Sequence, residues 1–246
     1  MYDAIIVGGG PGGLHVAARV AADGHHVTLH EEHEAFGDPV HCTGILADEV
    51  FSELSLPRTA VLNPLPAARF HSPSGLDVSY APAIPDAMVI DRQAFDRTLA
   101  DIAIGAGAEL MRGVRVTSIE VESRHVEINV EGREPLRARA VVLACGANYS
   151  FQRKLGLGMP TLYLSSAQME VPAARDGEVE LYFGSQVAPR GFAWAVPVRR
   201  PSGHHVRIGL MSDGEVSEHF RRLVDRIGPS WGISMGGGEE PRRRLL

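Results

Sequence analysis

The stretch Gly8-Gly9-Gly10-Pro11-Gly12-Gly13 restricts the fold of this chain more than any other, because of what flanks it. Before it runs Ala4-Ile-Ile-Val7, apolar without a break, the pattern of a parallel strand buried on both faces. After it, Leu14 to Ala22 is rich in alanine with small apolar residues at helical spacing, and Gly24 supplies a helix stop. His26-Val-Thr-Leu-His30 reads as a second strand, closed by the acidic pair Glu31-Glu32. Strand, helix and strand at this spacing predict a βαβ unit with a right-handed crossover. In such a unit Gly8 permits a tight turn, Gly10 lets backbone approach a pyrophosphate, and Gly13 lets helix and strand pack closely. The helix that starts at Pro11, which has no N–H of its own, turns the N–H groups from Gly12 on and partial positive charge toward an anion. Glu31 lies 18 residues beyond Gly13, where a carboxylate accepts both hydroxyls of a ribose and repels a 2′-phosphate. Glu32 is a second acidic candidate beside it. A dinucleotide site is the reading these residues support.

Further along, residues 33–62 read as a loop with a short helix near 47–54. Arg69-Phe-His, Ser72-Pro-Ser-Gly75 and Leu76-Asp-Val-Ser-Tyr80 predict a hairpin, an antiparallel excursion from the parallel fold. A helix is expected from Arg92 to about Ala106, with Phe95, Leu99, Ile102 and Ala106 on its apolar stripe. Strands follow over 115–122, 125–131 and 139–144, then alternating segments over 163–170, 178–183, 192–198 and 206–210, and a helix near 215–227. The expected class is α/β: a Rossmann-like domain with a parallel sheet (1–62 and 87–158), interleaved with a mostly antiparallel β domain (63–86 and 159–246).

Composition excludes some partners. Net charge is −6 and Lys154 is the only lysine, so the basic patch that nucleic acid needs is not expected. The longest apolar runs, such as Ala140–Cys145, are far too short to span a bilayer, and Met1-Tyr2-Asp3 lacks a signal-peptide start. A cytoplasmic protein is expected, and Cys42 and Cys145 are expected to be free thiols. No metal-ligand spacing and no acid or base for catalysis stands out.

Taken together, Gly8–Gly13 with Glu31, Gly37-Asp-Pro39-Val-His-Cys42-Thr-Gly44, Asp91-Arg92-x-x-Phe95-Asp96, Ala144-Cys145-Gly146 and Phe192-Ala-Trp194-Ala-Val196-Pro197 resemble the geranylgeranyl reductase family of FAD-dependent oxidoreductases, with the p-hydroxybenzoate hydroxylase-like fold. The resemblance implies FAD as cofactor, with Glu31 at the adenosine ribose, Arg92 near the pyrophosphate and the backbone of Val116 toward the adenine. It implies that Cys42, Thr43 and Gly44 line the flavin, that Ala144, Cys145 and Gly146 contact the cofactor, and that Phe192, Trp194 and Pro197 belong to the substrate wall. The implied activity is reduction of isoprenoid double bonds by hydride from reduced flavin, on a small-molecule or prenyl-lipid substrate. The electron donor stays open among nicotinamide, ferredoxin and quinol, and peripheral membrane contact stays open too.

Two departures from the family pattern bear on this. Val196 stands where phenylalanine is expected, and the Gly-x-Gly that should follow is only Gly209-Leu-Met. The family's later Gly-Asp segment is missing after residue 200, and Arg242–Leu246 resembles the stretch that comes before it, so a truncated chain is expected. Other functions are an aromatic monooxygenase, a non-catalytic nucleotide-binding module, and a flavin halogenase. The last is similar at Gly191–Pro197 but needs a lysine near the substrate, and Lys154 falls on an expected surface helix.

Overall fold

The computed structural model describes residues 1–40 and 42–233, together with the backbone of 242–245. His41 of the Gly37–Gly44 motif, the glycine-rich residues 236–238 and Leu246 lie outside the described residues. Two compact units are present: Met1–Val40 with Arg92–Pro160, and His41–Asp91 with Thr161–Leu246.

In chain order, β1 (Tyr2–Val7), α1 (Pro11–Ala22) and β2 (Val27–His30) open the first unit. The second then contributes β3 (Ile45–Ala47), α2 (Asp48–Glu53), β4 (Val61–Leu65), β5 (Ala68–His71), β6 (Asp77–Tyr80) and β7 (Ala87–Ile90). The chain returns to the first with α3 (Arg92–Gly105), β8 (Glu109–Met111), β9 (Val116–Val121), β10 (Val126–Val130), β11 (Leu136–Leu143) and α4 (Ser150–Lys154). The second continues with β12 (Ser165–Pro172), β13 (Val179–Phe183), β14 (Phe192–Arg200), β15 (Gly203–Ser212), α5 (Val216–Trp231) and β16 (Arg242–Leu245).

The first unit is built on a sheet of order β8-β2-β1-β11-β10-β9, parallel from β8 to β11 and antiparallel beyond. This is the expected α/β architecture. Helix α1 turns Leu14, Ala17, Ala18 and Ala21 inward and packs on α3, where small side chains permit a close approach. In α3 the buried residues are Phe95, Asp96, Leu99, Ala100 and Ala103. The buried arc therefore centres between Leu99 and Ala103, and Ile102, expected on the stripe, falls at its rim and is exposed.

The second unit carries a sheet of order β16-β12-β15-β14-β13-β5-β6 and a small antiparallel sheet β3-β7-β4. One face of the large sheet is covered by Phe220, Leu223, Ile227 and Trp231 of α5. Trp194, Val196 and Val198 form the other, against Leu65 and Val89 of the small sheet. Residues 41–62 and 87–91, grouped with the nucleotide-binding domain from sequence, fall in the second unit, where β3, β7 and β4 form one sheet. The side chain of Asn63 donates to the Pro197 carbonyl at 3.3 Å and accepts from the Arg199 N–H at 3.0 Å. It thus stands in for a neighbouring strand where β14 outruns β13.

His30, at the end of β2, is 2% exposed; its Nε2 lies 3.3 Å from the Thr28 hydroxyl and its Nδ1 has no partner. Burial, reinforced by Arg133 and opposed by Glu109, lowers its pKa to about 4. The imidazole is neutral in the fold, so the unfolded chain binds the extra proton first. Stability should be fully retained above about pH 6.5 and should fall by about 3 kcal/mol toward pH 4 from this residue alone. Urea unfolding of wild type and His30→Leu at pH 7 and 4.5 checks this: the variant should lose the smaller share, and equal losses would refute it. Among the described residues no helix is long and apolar enough to cross a membrane.

Candidate functional site

In the first unit, β1 ends against β11, and the Ala144 N–H donates to the Val7 carbonyl at 2.8 Å. The turn that follows leaves no room for a side chain at positions 8, 9 and 13. Gly8 has φ +112, and a Cβ there would stand 2.4 Å from the Ala144 carbonyl oxygen. A Cβ on Gly13 would stand 2.1 Å from the Gly8 oxygen and 3.1 Å from Ala144 Cβ. Gly9 is held between Phe36 and Glu31, 2.7 and 2.9 Å from where its Cβ would be. Gly10 and Gly12 are different: nothing lies within 4 Å of a Cβ at either. Helix α1 starts at Pro11 with no side-chain cap on Gly10 and no acidic residue in its first turn. Its first N–H groups thus keep their positive potential.

Glu31 is 9% exposed, and its carboxylate faces this loop. Oε2 accepts from the Gly9 N–H at 2.6 Å, and Oε1 accepts from the His33 N–H at 2.9 Å beside the His33 imidazole at 2.5 Å. Glu32, the other acidic candidate, instead pairs with Arg115 at 3.2 Å. The Glu31 backbone bonds to the Met111 carbonyl and the Val114 N–H, both at 2.9 Å, which brings the approach to Val116 alongside. Val116 buries its side chain in the core, so its backbone is what it can present. Cys145 donates its thiol proton to the Val7 carbonyl at 3.3 Å, and burial, with Glu32 and Glu31, pushes that thiol up. Gly146 follows at φ +57. Arg92 pairs at 3.0 Å with Asp96, whose carboxyl burial pushes up against the opposing pull of that arginine.

The second unit gathers the other residues singled out in the sequence. Cys42 is an exposed free thiol whose sulfur accepts from the Gly44 N–H at 3.3 Å. Gln168 donates to the Cys42 carbonyl at 3.3 Å and accepts from the Thr43 hydroxyl at 2.7 Å. Arg207 donates to the carbonyls of Thr43 and Ile90. Trp194 lies on the same face of the large sheet, with Phe192 at 5.6 Å between ring centroids. The aromatic row continues to Phe183 at 6.1 Å and on to Phe70 at 6.4 Å. Pro197 does not join it: alternation along β14 turns it to the opposite face, with Ala193 and Ala195.

Several contributors were not legible beforehand. His33 and Phe36 read as loop residues, Gln168, Glu170 and Arg207 as ordinary polar positions in alternating strands, and Gly209 only as a departure from a motif. No group of His, Cys, Asp or Glu that could hold a metal occurs among the described residues.

Residues 2–167 match the family described as pyridine nucleotide-disulphide oxidoreductase. The chain is 31% identical over 239 residues to the digeranylgeranylglycerophospholipid reductase of Methanoculleus marisnigri, with 92% of this chain and 59% of that protein aligned. It is 29% identical over 226 residues to the enzyme of the same name from Methanosarcina acetivorans, covering 87% of this chain and 55% of that one. The chain thus spans little more than half the length of these relatives. Among solved structures, a geranylgeranyl bacteriochlorophyll reductase-like protein from Thermoplasma acidophilum superposes with TM-score 0.86 at 25% identity, over 100% of this chain and 66% of that one. The halogenase PltM, in complex with phloroglucinol and FAD, superposes with TM-score 0.76 at 19% identity over 98% of this chain and 59% of that one, a likeness of fold.

Proposed function

The chain belongs to the pyridine nucleotide-disulphide oxidoreductase family, and from that premise we propose that it binds FAD and serves, in the whole protein, to reduce isoprenoid double bonds of a prenyl lipid. The observation that carries the cofactor is the contrast within the glycine loop. Packing within the chain accounts for glycine at positions 8, 9 and 13, and open space surrounds positions 10 and 12. Bare backbone facing open space at a helix start suits a pyrophosphate that must come within hydrogen-bond distance. Glu31 already orders the loop through Gly9 and holds His33 on its other oxygen, and the lone pair left on Oε2 suits a hydroxyl of the adenosine ribose. Arg92 balances pyrophosphate charge, and Val116 offers backbone to the adenine.

Reduced FAD, when bound, supplies a hydride to an alkene carbon. The chain's own residues bind, orient and exclude water. Cys42, Thr43 and Gly44, on a loop held by Gln168 and Arg207, would line the flavin. Phe192 and Trp194, extended by Phe183 and Phe70, form an apolar wall for a prenyl chain, whose burial contributes about 0.8 kcal/mol per CH₂. The names of the relatives support this substrate class.

The test is to reduce the FAD-loaded protein without oxygen and then add a geranylgeranyl phospholipid. Reoxidation of the flavin with a more saturated product is the expected result. Reoxidation only when oxygen is admitted, with a hydroxylated product, would replace the reductase by a monooxygenase.

A further inference from the structure

We propose that Gln168 is a positioning residue that couples the Trp194 indole to the Cys42–Thr43 loop; the functional meaning of that coupling rests on the reading of those two places as substrate wall and flavin face. Gln168, Gly209 and Trp194 stand directly opposite one another on β12, β15 and β14. The middle position has no side chain, and none would fit: a Cβ on Gly209 would stand 2.4 Å from the indole ring. The ring therefore lies across Gly209, and its Nε1 reaches the Gln168 Oε1 at 3.3 Å.

Chemistry fixes which way the amide points. An indole N–H only donates, so the amide oxygen must face Trp194. The same oxygen accepts from the Thr43 hydroxyl at 2.7 Å, which uses its second lone pair. The amide nitrogen is then left to donate to the Cys42 carbonyl at 3.3 Å, an acceptor that needs it. One side chain thus joins three groups with no interchangeable contact. Arg207 anchors the Thr43 carbonyl from within the unit, so Cys42 is the part of the loop whose position depends on the amide. A ligand pressed on the indole displaces the amide, and the amide carries the displacement to Cys42. Gly209, unexplained as a fragment of a motif, is the residue that makes the contact sterically possible.

The experiment uses the whole chain without cofactor and reads amide hydrogen exchange of Gly44, whose N–H is bonded to the Cys42 sulfur, by NMR. Gln168→Leu is expected to speed exchange of that N–H about fivefold, the effect of one net hydrogen bond on a local opening. Gln168→Glu keeps both acceptor contacts but loses the donor, so it should also speed exchange. Trp194→Phe removes the indole N–H and should speed exchange in the wild-type background but add nothing to Gln168→Leu. That non-additivity is the signature of coupling through the amide, and simple additivity would overturn it. A Gln168→Leu rate within about twofold of wild type would also overturn it; should that variant fail to fold, Gln168→Glu is judged by the same limit. None of these readings needs FAD, so a failure to bind the cofactor would remove the proposed function and leave the coupling standing or falling by itself.

Discussion

Replacing Arg207 with methionine is expected to cost the fold about 3–5 kcal/mol, the range for breaking a buried ion pair from one side. Arg207 is 5% exposed in the middle of β15, and its Nε donates to Glu170 at 2.6 Å. Its Nη1 donates to the carbonyls of Thr43 and Ile90. Arg200 binds the same Glu170 through two nitrogens at 2.7 and 3.0 Å and also pairs with Asp91. The two arginines and two carboxylates are therefore balanced, and methionine would leave a net negative cluster and two carbonyls without this donor. Burial pushes the Glu170 carboxyl up, but Arg200 and Arg207 outweigh it and hold the group below the usual carboxylate range. A folded pKa below the unfolded value of about 4.3 stabilises the protein above that pH, and the contribution fades as pH falls through the folded value. In Arg207→Met that fading should begin at higher pH. Arg207→Lys keeps the charge but lacks the fork that reaches carboxylate and carbonyls together, so it should recover only part of the loss. Urea unfolding at pH 7 and 4 measures both variants, and a cost under about 1 kcal/mol for Arg207→Met would refute the account.

The second large effect separates two glycines of one loop. Gly13→Ala would drive a Cβ to 2.1 Å from the Gly8 carbonyl oxygen, a backbone atom that cannot swing aside, and should cost about 3 kcal/mol of stability or more. Gly10→Ala meets nothing within 4 Å, and Gly10 has φ −73 with extended ψ, which alanine adopts freely. Losing glycine as N-cap should cost no more than about 1 kcal/mol. FAD affinity should nevertheless fall about 100-fold or more, because a methyl group would stand where the pyrophosphate approaches. Equal melting with lost binding is a result that only a ligand-facing glycine produces.

The difference between those glycines also shows how far the sequence could be read. That a βαβ unit starts the chain followed from Ala4–Val7, the alanine-rich helix and Glu31. Which glycines are closed in by packing depended on Phe36, Glu31 and Ala144, the last more than 130 residues away. Long segments such as β12, β14 and β15 were legible, β12 and β15 from alternation and β14 from a continuous apolar run buried on both faces. The short β3, β7 and β8 were not, since three or four residues carry no period, and β4 contains Pro64, a poor strand signal. These short strands moved residues 41–62 and 87–91 into the second unit and so decided where the Cys42–Gly44 loop is anchored. Arg207 and Glu170 look like outward-facing positions of a solvated strand. Only the register of β12 against β15, which sets Glu170 opposite Arg207, reveals a buried pair. Trp194 and Pro197 share a motif, yet the alternation of β14 sets them on opposite faces of the sheet.

The central claim, a cofactor site built on the glycine loop, is tested most directly by titrating wild-type protein and Gly10→Ala with FAD under identical conditions, with melting curves for both. Saturable binding of one FAD per wild-type chain, competed by ADP, and its loss in Gly10→Ala at near-unchanged melting temperature are the expected results. Absence of saturable binding in the wild type, or equal affinity in the two proteins, would contradict it.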